Sequence, residues 1–170
     1  MTQYGNRGMD LEEMIENVNK EYKFTKKAVV QKIPTPVKVL NITGGRITNG
    51  FYEEKSTVDY IGNYKGRAIA FEAKETSVET RFDLSNMHDH QFFFLDEWNN
   101  SGAISFVIVS FTSLNEIYYL PFELLDKYWM QMEAGGRKSI PYEEIAKEEY
   151  ELGNDVDYLE IVERVIADED

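Results

Sequence analysis

Apolar residues recur at two different spacings along the chain, and these spacings predict helices alternating with strands. Residues 10–22 carry apolar side chains three and four positions apart behind a capping Asp10, which is typical of an amphipathic helix. The apolar positions of this helix are Leu11, Met14, Ile15, Val18 and Tyr22. A second helix is expected from an N-cap at Ser85 to about Asn99, and a third directly after Pro121.

Strands are expected where short apolar runs lie between turn residues. The candidate strands are AVVQKI at 28–33, VKVLNI at 37–42, AISFVIVSF at 103–111 and EIYYL at 116–120. The run at 103–111 has almost no polar side chain, so we expect an interior strand buried on both faces. Residues 134–141, AGGRKSIP, are expected to form a loop. The order of elements predicts one α/β domain over residues 1–170, a mixed sheet flanked by helices.

Residues 37–55 are expected to form a long hairpin or a protruding arm. A Pro-Thr-Pro segment interrupts regular structure just before them. Within them, the dipeptides Gly44-Gly45 and Asn49-Gly50 both favour turns. An ordinary hairpin at the edge of the sheet is the other interpretation of the same pattern.

Charged residues interrupt the segment STVDYIGNYKGRAIAFEAKET at 56–76. Successive side chains of a strand point to opposite faces, so Glu72 and Lys74 share one face beside small alanines. The same alternation places Thr57 and Asp59 together on one face of the preceding strand. Three charged side chains are therefore expected to converge at a place where packing favours apolar ones.

Composition limits the class of protein. The chain has 170 residues, of which 42% are hydrophobic, enough for one compact domain with its own core. No apolar run approaches the roughly 20 residues of a membrane span, and the N-terminal MTQYGNRGMDLEEM lacks the apolar region of a secretory signal. The absence of cysteine excludes disulfides and thiolate metal sites. We therefore expect a cytoplasmic protein without a membrane partner.

Charge is distributed unevenly along the chain. The net charge is −13, and residues 143–170 alone hold 12 acidic and 2 basic residues, an acidic C-terminal tail expected to end in a helix near 158–166. Residues 20–52 hold seven basic residues against one acidic residue. An anionic partner for this basic segment is one interpretation, and an ordinary solvated surface is the other.

An acidic residue followed 13 positions later by an acid-x-lysine is typical of metal-dependent phosphodiester cleavage. Asp59 and Glu72 offer the oxygen ligands that Mg²⁺ prefers, with Mn²⁺ as a substitute. Lys74 can stabilise the negative charge that develops on the phosphate. The spacing alone is equally compatible with an exposed ion pair on a surface hairpin.

Two further polar features lie on the second helix. Gln91 falls on its apolar stripe, where its amide requires a partner that a metal site or a helix-to-sheet hydrogen bond would supply. The segment HDHQ at 88–91 also resembles a zinc site. Adjacent residues on a helix do not face each other, so we expect no zinc site there.

At these residues the chain resembles the RecU family of Holliday junction resolvases, members of the PD-(D/E)xK, restriction-endonuclease-like nucleases. Five segments carry the resemblance in order: NRGMDLEEMIENVNKEY, IPTPVKV, STVDYIGNYKGRAIAFEAKET, HDHQ and GGRKSIP. The resemblance implies a restriction-endonuclease-like fold with a stalk at 37–55. It also implies that Mg²⁺ is held by Thr57, Asp59, Glu72 and Gln91, and that Asp59, Glu72 and Lys74 are the catalytic residues.

The resemblance further implies a structure-selective endodeoxyribonuclease that resolves Holliday junctions in recombination and repair by Mg²⁺-dependent hydrolysis. Its expected partners are four-way junction DNA, a second copy of the chain, a recombinase and branch-migration proteins. The basic residues proposed to contact DNA are Arg7, Lys38, Arg46, Arg137 and Lys138. The alternative is an accessory protein of recombination that binds DNA structures without cutting them. Binding alone does not require the acids and the lysine, which favours the nuclease.

Overall fold

The structure is a computed structural model that describes residues 10–52 and 57–169. Its helices are α1 (Leu11–Phe24), α2 (Asp89–Asn100), α3 (Phe122–Glu133), α4 (Tyr142–Ile145) and α5 (Leu159–Glu169). Its strands are β1 (Val29–Lys32), β2 (Val37–Thr43), β3 (Arg46–Tyr52), β4 (Tyr60–Tyr64), β5 (Arg67–Thr76), β6 (Arg81–Asp83), β7 (Ile104–Phe111), β8 (Glu116–Pro121) and β9 (Ser139–Pro141). No helix in these ranges is long and apolar enough to cross a membrane.

Five of the described strands form a mixed sheet in the order β1-β4-β5-β7-β8. Strands β5 and β7 run parallel, and the other neighbouring pairs are antiparallel. The connection between β5 and β7 passes through α2, as a parallel pair requires. Every residue of β7 is buried, which confirms the interior strand expected from its apolar run.

Helices cover both faces of this sheet and give two apolar cores. On one face α1 and α5 pack against the sheet, and the core includes Ile15, Leu159, Phe71 and Phe106. On the other face α2 and α3 pack against it, and the core includes Phe92, Leu95, Trp129, Ala70 and Val107. The expected α/β class, with a mixed sheet between helices, is confirmed. Glu72 projects from β5 toward the second face, where it meets α2.

The acidic segment 143–170 is built into the fold over its described part. It contributes buried apolar side chains to the core beneath α1, namely Leu152, Val156, Tyr158, Leu159, Ile161 and Val162. The Tyr22 hydroxyl donates a hydrogen bond to Asp157, and the Tyr158 hydroxyl bonds to Asn19. These contacts attach the segment to α1, so its negative charge lies on the surface of the domain itself.

Strands β2 and β3 pair only with each other among the described strands, and every residue in them is exposed. The turn between them uses Gly44 and Gly45, whose φ angles of 59° and 76° suit a two-residue hairpin turn. The expectation of a second turn at Asn49-Gly50 is wrong, because both residues lie within β3. Gly50 pairs with Val39, and a Cβ there would lie only 3.0 Å from the Lys38 carbonyl oxygen.

Two other element boundaries differ from the sequence expectation. The second helix begins at Asp89 behind an N-cap at His88, and Ser85 lies in a short 3₁₀ turn instead. The helix begins there because the side-chain oxygen of Gln91 accepts a hydrogen bond from the His88 backbone N–H at 3.0 Å. The expected loop at 134–141 ends in strand β9, which pairs with β6.

Candidate active site

Asp59 and Glu72 hold each other in place through backbone hydrogen bonds. The Asp59 backbone N–H donates to Glu72 Oε2 at 3.0 Å, and the Ala73 N–H donates to Asp59 Oδ2 at 3.0 Å. Asp59 lies in a bend just before β4, whereas the sequence pattern places it within a strand. The reciprocal pair brings together the two acids that the alternation argument expects to converge.

Lys74 and Gln91 complete a connected group around Glu72. The Lys74 ammonium lies 2.9 Å from Glu72 Oε1 and 3.1 Å from Gln91 Oε1. The Gln91 amide nitrogen donates to the same Glu72 Oε1. The side chain of Glu72 is only 2% exposed, while that of Lys74 is 17% exposed, so the group opens to solvent on the lysine side.

The orientation of the Gln91 amide follows from the chemistry of its partners. The His88 N–H and the Lys74 ammonium are donors only, so the atom facing both of them must be the carbonyl oxygen. The ionised carboxylate of Glu72 accepts only, so the atom facing it must be the NH₂ group. The helix-to-sheet hydrogen bond expected for Gln91 is therefore present, and it ends on Glu72. A metal as a second partner of Gln91 stays a prediction.

Burial and a neighbouring negative charge perturb Glu72. Loss of hydration raises the pKa of its carboxyl group from 4.5 to about 7, and the Asp59 carboxylate adds to the rise while Lys74 opposes it. A group in this state gains from any added positive charge. A positive charge placed beside this carboxylate would favour its ionised form.

The remaining candidate ligand lies outside this connected group. Thr57 is exposed, two residues before Asp59, and the hydrogen bonds described above join the other four residues. Within the described ranges, no three side chains of His, Cys, Asp or Glu lie close enough to hold a metal together.

The described candidate DNA contacts lie in two places. Arg7 falls outside the described residues. Lys38 and Arg46 are exposed on the hairpin of β2 and β3, and Arg137 and Lys138 are exposed before β9. The Lys138 carbonyl accepts from the Leu84 N–H at 3.0 Å, which ties its loop to the segment leading into α2.

Sequence reasoning missed how much of the basic segment 20–52 is already paired. Lys27 forms an ion pair with Asp157 at 3.2 Å, and Lys32 pairs with Glu12 and Glu16. No local pattern in the sequence indicates the ion pair between Lys27 and Asp157, because the two residues are 130 positions apart. The positive charge offered to an anionic ligand is therefore smaller than the count of basic residues suggests.

Known proteins are similar to this chain over most of its length. The family model "Recombination protein U" (RecU) matches residues 6–164. The chain belongs to the RecU family. A relative from Geobacillus sp. (strain WCH70), named Holliday junction resolvase RecU, is 42% identical over 95% of this chain and 85% of its own length. A RecU of the same name from Oenococcus oeni is 38% identical, over 95% of this chain and 87% of its own length.

One solved structure is similar to this RecU chain in part of its fold. It is that of Archaeoglobus fulgidus Hjc, described as a Holliday junction resolvase from an archaeal hyperthermophile. The match has 10% sequence identity and a TM-score of 0.45, and it covers 76% of this chain and 85% of the other. The assignment to the RecU family rests on the sequence matches alone.

Proposed function

We propose that this protein is a structure-selective endodeoxyribonuclease that resolves Holliday junctions by Mg²⁺-dependent hydrolysis. The observation that carries the proposal is the hydrogen-bonded group of Asp59, Glu72, Lys74 and Gln91, found in a chain of the RecU family. Its curated relatives carry the name Holliday junction resolvase. DNA binding alone does not require two acids, a lysine and an amide to be brought together in one group.

The residues at this site fit a magnesium ion. Mg²⁺ in proteins takes one or two carboxylates and keeps several waters, so a pair of acids suffices. Asp59 and Glu72 would hold the ion, with the Gln91 carbonyl oxygen and the Thr57 hydroxyl as the further oxygen ligands. When bound, Mg²⁺ would neutralise charge on the scissile phosphate and lower the pKa of the attacking water.

The other tasks at the site fall to the protein's own side chains. Lys74 places a positive charge at the solvent-facing side, where a phosphate would approach, and stabilises the charge that grows on its oxygens. Gln91 fixes the positions of Glu72 and Lys74 through its amide. Burial keeps bulk water away from Glu72, which strengthens each of these interactions.

We further propose that the protein acts as a homodimer, which would place one such site on each of two strands of a four-way junction. The exposed hairpin of β2 and β3 would enter the junction, with Lys38 and Arg46 on its surface. Arg7, Arg137 and Lys138 would contact phosphates outside it. The mass of the protein in solution, measured by light scattering with and without junction DNA, tests the dimer.

The experiment that tests the function uses a labelled synthetic four-way junction beside a linear duplex of the same sequence. With Mg²⁺ the protein should introduce nicks with 5′-phosphates in the junction and leave the duplex intact, and chelation should abolish cleavage. Equal cutting of both substrates would indicate a less selective nuclease. Binding to the junction without nicks under any metal would favour the accessory protein instead.

A further inference from the structure

Lys74 occupies the position at which a cation would meet the oxygens of Glu72 and Gln91. Its ammonium is 2.9 Å from Glu72 Oε1 and 3.1 Å from Gln91 Oε1, which are two of the proposed metal ligands. We propose that Lys74 is the internal cation of the metal-free site and that a divalent metal must displace it to bind. This inference rests on the proposed function, because it takes Glu72 as a metal ligand.

The first argument is the charge of the site. A carboxylate that is 2% exposed is poorly hydrated, and it is stable in its ionised form only beside a positive charge. When Glu72 is ionised, two carboxylates and one ammonium leave the metal-free site with one net negative charge. A divalent ion balances both carboxylates by itself, so the ammonium is then no longer required at Glu72.

The second argument comes from the Gln91 carbonyl oxygen, which has two lone pairs. One accepts from the His88 N–H, which belongs to the backbone at the start of α2, and the other accepts from Lys74. The backbone donor is fixed by the helix, whereas a lysine ammonium sits on a flexible four-carbon chain. A metal that takes this oxygen as a ligand therefore replaces Lys74.

The consequence is that metal binding makes the positive charge of Lys74 available to a phosphate. In the metal-free protein the positive charge of Lys74 is used within the site. After displacement the same charge lies on the solvent-facing side of a neutralised site, where it can meet a phosphate. The protein would thus present its phosphate-binding charge only when the metal required for hydrolysis is present.

Metal binding to the whole chain without DNA tests the competition. Isothermal titration calorimetry with Mn²⁺ and with Mg²⁺ should give about tenfold tighter binding for Lys74→Met than for the wild type, because the variant has no ammonium to displace. Lys147→Met is the matched control, since it removes one exposed positive charge from the acidic segment. The control should change the affinity less than about twofold. Equal or weaker binding by Lys74→Met would overturn the inference, and so would an equal gain in the control.

The wild-type protein gives a second readout that does not depend on a variant. With ¹⁵N- and ¹³C-labelled lysine, titration with Mg²⁺ should shift the Lys74 Nζ and Cε signals in step with metal binding. Signals that stay unchanged at saturation would show that the lysine keeps its place. If Glu72→Gln binds metal as tightly as the wild type, the metal site itself is wrong, and that failure is distinct from a failure of the competition alone.

Discussion

The carboxylate of Glu72 accepts hydrogen bonds from three donors. Its Oε1 receives the Lys74 ammonium and the Gln91 amide, and its Oε2 receives the Asp59 N–H. Each donor comes from a different part of the chain: β5 itself, α2 and the bend before β4. A change at this carboxylate therefore alters metal binding and the local geometry together.

We expect Glu72→Gln to abolish cleavage of junctions while junction binding is kept. The replacement has nearly the same shape but removes one negative charge from the metal site, and we expect the cleavage rate to fall at least about 100-fold. Single-turnover cleavage and gel-shift titration in the absence of metal measure the two effects. Glu75→Gln is the matched control, because it removes a charge from a nearby exposed position of β5 and leaves an oxygen that can still accept from the Leu11 N–H. Wild-type cleavage by Glu72→Gln would remove Glu72 from the ligand set.

The raised pKa of Glu72 predicts a pH-dependent stability of the metal-free protein. The folded state favours the protonated carboxyl up to about pH 7, whereas the unfolded chain ionises near 4.5. Its contribution to stability is therefore complete below pH 4.5 and is lost as the pH rises through about 7. Compared with Glu72→Gln in a chelator, the wild type should become less stable over this range, by at most about 3 kcal/mol.

Urea unfolding of both proteins at several pH values between about 4.5 and 8 measures this difference. Added Mg²⁺ should reduce the difference at the upper end, because the ion stabilises the ionised carboxylate. A difference that is the same at every pH would mean that Glu72 titrates alike in the folded and unfolded chains.

At the residue scale, the sequence predicts which residues form the site better than it predicts how they are arranged. Alternation along a strand has a fixed period, so the shared face of Glu72 and Lys74 can be deduced from it. Asp59 lies in a bend, which has no period, and its reciprocal bonds with β5 depend on the pairing of two strands. The HDHQ segment does contain the capping-box spacing that fixes Gln91, with the glutamine three positions after the N-cap.

At the scale of elements, the hairpin of β2 and β3 differs most from the rest of the protein. Its apolar side chains are exposed instead of packed, with Val37, Leu40, Ile42, Ile47 and Phe51 each at least 44% exposed. A two-stranded hairpin alone is only marginally stable in water. A contact that covers these side chains, from DNA or from a second copy, would therefore be favourable.

We expect shortening of this hairpin to remove the preference for junctions without disturbing the catalytic group. Val39 and Gly50 are paired, so replacing residues 40–49 by Asn-Gly should close the shortened hairpin in the same register. The variant should fold and bind Mg²⁺ like the wild type, while its affinity ratio for four-way over linear DNA falls toward one. Competition gel shifts measure that ratio. Unchanged selectivity would mean that recognition depends on dimer geometry.

Element boundaries are less predictable from sequence than the elements themselves. Long periodic segments such as α1 and the apolar β7 are predicted nearly as they occur, because their burial follows directly from their pattern. The turn predicted at Asn49-Gly50 is wrong because the same dipeptide suits both a turn and a close approach of two backbones. Only the pairing of β2 with β3 distinguishes these uses.

At the scale of the whole molecule, a chain of net charge −13 has to approach a polyanion. The acidic helix α5 and the segment before it are attached to α1, so their charge cannot swing away from the domain. Binding therefore depends on the local positive charge that remains after the internal ion pairs of Lys27 and Lys32 are excluded.

We expect junction binding to weaken steeply with salt and to depend on the exposed basic residues outside those pairs. For each phosphate that is no longer neutralised, the slope of log K against log salt concentration should become shallower by about 0.9. Replacing Lys20, Lys26, Lys38 and Arg46 together by glutamine should therefore reduce the slope by up to about 3.6. Filter binding between about 50 and 200 mM salt measures the slope. Lys147→Gln, in the acidic segment, is the control, and an unchanged slope in the quadruple variant would place the DNA-binding face elsewhere.

The attachment of α5 to α1 also determines when the native packing of α1 can form during synthesis. Tyr22 and Asp157, which are hydrogen-bonded, are separated by 135 positions in the chain. At about 5–20 residues per second, a ribosome takes roughly 7 to 27 s to make that stretch. During this interval the apolar stripe of α1 has no α5 to pack against. We therefore expect nascent α1 to be a contact site for chaperones, and its native packing to form late in folding.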